Sequence, residues 1–171
     1  MVMLPVICNH NFKNMKIEIG KAAPDFSLRD TEKNIVSLKE QNGKTVLLLF
    51  FPLAFTGVCT KELCSVRDNI AMYNNATATV FGISVDAPQS LAKFKDEQHL
   101  NFALLSDFNK EVSAMYDCLY NEFAGWMKGV SKRSAFVIDG DGIIQYAEVL
   151  ENAGELPNFE EINNVIKSLS H

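Results

Sequence analysis

The chain has 171 residues, of which 16 are basic and 21 acidic, for a formal net charge of −5, with 47% hydrophobic and 22% charged content. Those figures fit one ordinary globular domain and provide no basic surface for nucleic acid or anionic lipid. The four cysteines, Cys8, Cys59, Cys64 and Cys118, are too few for a chain this long to depend on a disulfide framework, and they read as reduced thiols of a cytoplasmic protein.

Residues 1–15 show no clear period and read as a loose extension, which leaves residues 16–171 as the folded domain. The opening apolar run is short, lacks a basic leader and is broken by Pro5, so it makes a poor secretory signal; no transmembrane run follows. Cys8 and His10 have no further ligands close in sequence, and neither a metal nor another cofactor is expected.

Ala23-Pro24-Asp25-Phe26-Ser27-Leu28, a polar turn at 30–34 and Ile35-Val36-Ser37-Leu38 predict an N-terminal β-hairpin. Residues 45–51 are continuously apolar, as in a central strand covered on both faces. A turn around Pro52 and Gly57 then leads into a helix beginning near Cys59. Its apolar face is Val58, Leu63, Val66, Ile70 and Tyr73, and Asn74-Asn75 ends it.

A second buried strand is predicted over 79–85, stopped by Asp86-Ala87-Pro88, with a crossover helix to about 98 that buries Leu91 and Phe94. A third strand at 102–107 and a short helix at 110–116 follow. Strands alternating with helices predict a mostly parallel sheet covered on both sides. Residues 117–132 are irregular; Tyr120, Phe123 and Trp126 there either form an interface or pack beneath the loop. Strands at 133–138 and 143–150 flank a tight turn, and a last helix starts with Asn158 as cap and Glu161 at the capping-box position.

The chemistry concentrates at 52–64. A cysteine in the first turn of a helix faces unpaired N–H groups and the positive end of the helix dipole, which favours thiolate over thiol. Thr56 offers a hydroxyl that can donate to or accept from a small polar substrate, and Pro52 can wall the sulfur from bulk water. Cys64 lies five residues after Cys59. On one regular helix that spacing is about 140° and about 7.5 Å, beyond the reach of a disulfide unless the helix unwinds.

The pattern P-x-x-x-T-x-x-C, carried by Pro52, Thr56 and Cys59, resembles the active-site signature of the peroxiredoxins. The preceding apolar strand, Ala23-Pro24-Asp25-Phe26, Glu62 and the segment from Arg133 to Asp139 match the same family in order. The resemblance implies a thioredoxin-like α/β fold: a central mixed sheet flanked by helices on both faces, with an N-terminal hairpin. It implies a thiol-dependent peroxidase acting on hydrogen peroxide or organic hydroperoxides.

Cys59 would be the peroxidatic nucleophile, Thr56 would hold the peroxide, and Arg133 would stabilise the thiolate and the leaving oxygen. Pro52 would shield the sulfenic acid, with Glu62 in support. The implied partners are a thioredoxin-, glutaredoxin- or mycoredoxin-like reductant and a second copy in a homodimer, with neither nucleic acid nor membrane.

Asn121 to Gly125 and Ala153 to Pro157 are most similar to the AhpE-type branch, which implies resolution by an external thiol. Cys64 instead resembles the resolving cysteine of the bacterioferritin-comigratory branch; its alternative is a small apolar filler of the helix–sheet interface. Cys118 reads as a structural thiol, with resolution or an interchain disulfide as the other possibilities. A thiol–disulfide carrier on the same fold is the rival function, but its C-x-x-C motif is absent at Cys59.

Overall fold

The computed structural model describes residues 17–170; Cys8, His10 and the proposed N-terminal extension lie outside them. β1 (Ser27–Asp30) and β2 (Ile35–Ser37) form the antiparallel hairpin. β3 (Thr45–Phe50), buried at every position, leads into α1 (Gly57–Asp68) and α2 (Ile70–Asn75). β4 (Ala78–Ser84), α3 (Pro88–Glu97), β5 (Ala103–Ser106) and α4 (Glu111–Met115) follow. The chain then crosses a two-stranded ladder, β6 (Leu119–Tyr120) with β7 (Val130–Ser131), and ends with β8 (Ser134–Ile138), β9 (Ile144–Val149) and α5 (Phe159–Leu169).

Seven strands make one sheet in the order β2-β1-β5-β4-β3-β8-β9. The sheet is mixed, and the expectation of a mostly parallel one is corrected. β4 runs parallel to β3 and β5, whereas β1 meets β5, and β8 meets β3 and β9, antiparallel. The α/β alternation holds only between β3 and β5. Beyond it, β8 inserts beside β3 with Leu48 opposite Phe136.

Because side chains alternate along a strand, the sheet divides the core in two. Leu47, Leu49, Ala135 and Val137 face one side and pack with Cys59, Leu63 and Val66 of α1, Leu91 and Phe94 of α3, and Ile162 and Ile166 of α5. Val46, Leu48, Phe50, Phe136 and Ile138 face the other with Phe26, Leu38, Tyr116 and Cys118. Helices cover both faces unevenly: α1, α2, α3 and α5 share one, and among the described residues α4, through Val112, is the α-helix that packs in the other cluster. Gly82 in β4 lets the first face close, since a Cβ there would stand 2.6 Å from Leu104 Cδ2.

The apolar period predicts one helix from near Cys59 to Asn74-Asn75, and the structure breaks it in two. Asn69, between α1 and α2, departs from helical backbone at φ −106° and ψ 13°, and its Nδ2 donates back to the Ser65 carbonyl at 2.8 Å, although the apolar period continues to Tyr73.

Candidate active site

The loop between β3 and α1 is held from below. Asp86, just past β4, accepts from the Ala54 N–H at 2.9 Å and from the Ser84 hydroxyl at 2.7 Å, while the Ser106 hydroxyl donates to the Asp86 carbonyl at 2.6 Å. Phe55 sits at φ 62°, in the left-handed region that costs a non-glycine residue about 1 kcal/mol or more. Its half-exposed ring meets Phe94 of α3 edge-on, with centroids 5.1 Å apart. That contact and the Asp86 bond hold the strained turn. The sequence showed Asp86 only as a strand stop.

Thr56 is the N-cap residue of α1, yet its hydroxyl does not cap. It donates to the Leu53 carbonyl at 2.9 Å, which leaves the first-turn N–H groups open and the hydroxyl's lone pairs free to accept. Cys59 is the third residue of the helix, inside that first turn. Pro52 is buried at the start of the loop.

Arg133, in the residue just before β8, reaches across to α1. Its Nη2 donates to Cys59 Sγ at 3.3 Å and to the Ala153 carbonyl at 3.0 Å, and its Nη1 donates to Glu62 Oε2. Arg133 and Cys59 are each 1% exposed and Glu62 is fully buried. Burial works against the Arg133 charge, but the charges of Glu62 and Cys59 outweigh it and raise its pKa above the ordinary arginine value. Burial likewise pushes the Glu62 carboxyl up to about 7, with Arg133 pulling the other way.

So Cys59, Arg133 and Glu62 form one contact network, with Thr56 at the head of the same helix. Enclosure of the sulfur is tighter than a surface nucleophile would show. The Ala153 carbonyl is a further acceptor on the guanidinium, whose buried Nε has no partner among the described residues, and it had no sequence signal, because any residue type supplies a carbonyl.

Cys64 is not brought to Cys59. Its half-buried Sγ donates to Gln98 Oε1 at 3.7 Å, beside the end of α3. Cys118 is fully buried on the opposite face of the sheet, away from the Cys59 cluster, and burial pushes its thiol pKa up. His99 is exposed at φ 50°. Among the described residues no group of three or more His, Cys, Asp or Glu is placed to hold a metal ion, and no helix is long and apolar enough to cross a membrane.

Over residues 19–147 the sequence matches the AhpC/TSA family. The chain belongs to that family, the peroxiredoxins. Alkyl hydroperoxide reductase E of Mycobacterium tuberculosis is 40% identical over 143 residues, covering 82% of this chain and 90% of that protein. Peroxiredoxin Bcp of Escherichia coli is 37% identical over 131 residues, covering 76% and 84%. The crystal structure of peroxidoxin BcpB from Mycobacterium tuberculosis superposes with a TM-score of 0.80 at 27% identity, covering 91% of this chain and all of that one.

This peroxiredoxin is therefore a thiol-dependent peroxidase with a thioredoxin-like fold, drawing on a peroxide and a thiol reductant. The thiol–disulfide carrier is not favoured. Similarity to both an AhpE and a Bcp protein matches the mixed features of the sequence.

Proposed function

We propose that Cys59 is the peroxidatic nucleophile and that its contact with Arg133 is what makes the site work. The observation that carries this reading is the 3.3 Å approach of Arg133 Nη2 to Cys59 Sγ in the first turn of α1. The thiolate attacks the terminal oxygen of a hydroperoxide, the O–O bond breaks, and sulfur is oxidised by two electrons to the sulfenic acid. The remaining oxygen leaves as alkoxide or hydroxide and takes a proton to become alcohol or water. Arg133 faces the negative charge as it moves from sulfur to that oxygen, and the helix N–H groups add to it.

Thr56, with its own proton committed to Leu53, accepts from the hydroperoxide O–H and points the distal oxygen at sulfur. Pro52 closes the floor of the loop against water, and Glu62 fixes the guanidinium. After oxidation the start of α1 unwinds and Cys64 condenses with the sulfenic acid: a disulfide forms and the hydroxyl leaves as water with the Cys64 proton. A thioredoxin-, glutaredoxin- or mycoredoxin-like dithiol returns both thiols. We take residues 16–171 as one domain acting in the cytoplasm as a homodimer, with the exposed Trp126 loop as a candidate contact.

Stopped-flow oxidation by hydrogen peroxide and by an organic hydroperoxide, with mass analysis of each product, tests this. Wild type should end as a Cys59–Cys64 bridge, Cys64→Ser as a product one oxygen atom heavier at Cys59, and Cys59→Ser should not react. Peroxide turnover surviving in Cys59→Ser would refute the assignment.

A further inference from the structure

Cys64 enters resolution from a hydrogen bond, and the partner is outside the active site. Its Sγ donates to Gln98 Oε1 at 3.7 Å, a fitting distance given sulfur's radius. Gln98 is the C-cap residue of α3, and a side chain of α1 is tied to the main chain of the same residue: Arg67 Nη1 donates to the Gln98 carbonyl at 2.6 Å. Asn101 Nδ2 donates to the Arg67 carbonyl at 3.2 Å, and Asn69 folds back onto Ser65. The second half of α1 is thus clamped to the end of α3, with Cys64 inside the clamp. Among the described residues no hydrogen bond ties the first turn to α3, so Cys59 is the sulfur that travels once its contact with Arg133 is given up.

Resting on the proposal that Cys64 resolves Cys59, we infer that Gln98 is a positioning residue that holds the Cys64 thiol in place and sets how fast the sulfenic acid is resolved internally. The S–H···O contact has to break before Cys64 can turn toward the arriving sulfenic acid. While it persists, an external thiol can take the same sulfenic acid instead. Gln98 therefore sets the division between a two-cysteine and a one-cysteine cycle.

The side chain can be tested without touching the clamp, because Arg67 binds the Gln98 carbonyl, which every substitution keeps. In Gln98→Ala, disulfide formation should speed up relative to Cys59 oxidation in the same stopped-flow trace by about threefold, the size of a weak neutral hydrogen bond. The fraction captured as mixed disulfide by a competing small thiol should fall in step. Gln98→Glu keeps an acceptor oxygen facing Cys64 and should return the ratio toward wild type. An unchanged ratio in Gln98→Ala, or an equal rise in Gln98→Glu, overturns the inference while leaving Cys64 as the resolving residue. Absence of any Cys59–Cys64 bridge in oxidised wild type overturns the resolving assignment itself, and the role of Gln98 with it.

Discussion

Arg133 distributes its donors over a carboxylate, a carbonyl and a sulfur, and this division demands a planar fork. Lysine would bring a charge without the geometry: it could follow Glu62 or Cys59 but not hold both. Arg133→Lys should lower the second-order rate of Cys59 oxidation about a hundredfold, as for loss of one preorganised donor, measured by stopped-flow fluorescence. Glu62 gives a different readout. Its folded-state pKa of about 7 stands above the ordinary 4.5, so between those values the folded chain holds a proton that the unfolded chain has released. Stability must then fall as pH rises through that window, and Glu62→Gln should flatten the fall in urea midpoints. Glu62 and Arg133 were both visible as family-like residues in the sequence. Their partnership was not, since they lie 71 positions apart.

Helices here begin and end by side-chain chemistry that local patterning reads only in part. The start of α5 was legible: Asn158 Oδ1 accepts from the Glu161 N–H at 3.1 Å, as a cap should. The reciprocal half of the capping box is absent, because the Asn158 N–H donates to Glu148 Oε2 at 2.9 Å and Glu161 meets Asn158 Nδ2 instead. Asn158→Ala should cost about 1 kcal/mol in chemical denaturation, and Glu161→Ala less. The break at Asn69 went unread because Ile70 and Tyr73 keep the apolar period; a fold-back amide leaves no trace in periodicity. Thr56 shows the opposite case, a residue in the cap position whose hydroxyl serves Leu53 and leaves the helix end open.

Across the molecule, buried strands were recognisable from their apolar runs, and β3 is buried along its length as its sequence required. Strand direction was legible within the hairpins β1–β2 and β8–β9 but not across the rest of the sheet. The same run of Ser134–Ile138 would suit a parallel or an antiparallel neighbour, and only tertiary packing lays it antiparallel against β3. The site inherits this arrangement: β8 beside β3 places Arg133 level with the end of β3, where the loop to Cys59 departs, as the pairing of Phe50 with Ser134 records. Proximity of the sulfur and the guanidinium is a property of sheet order.

That same sheet is an insulating wall between thiols. Cys59 and Cys118 pack in separate cores, and Cys118 has no exposed surface. Labelling by a soluble alkylating reagent at Cys118 should therefore be a clock for cooperative opening of the domain: negligible in buffer and accelerating along the denaturant transition. Peptide-resolved mass spectrometry would read this clock independently of enzyme turnover. Rapid labelling at Cys118 under native conditions would mean that its half of the core breathes separately from the rest.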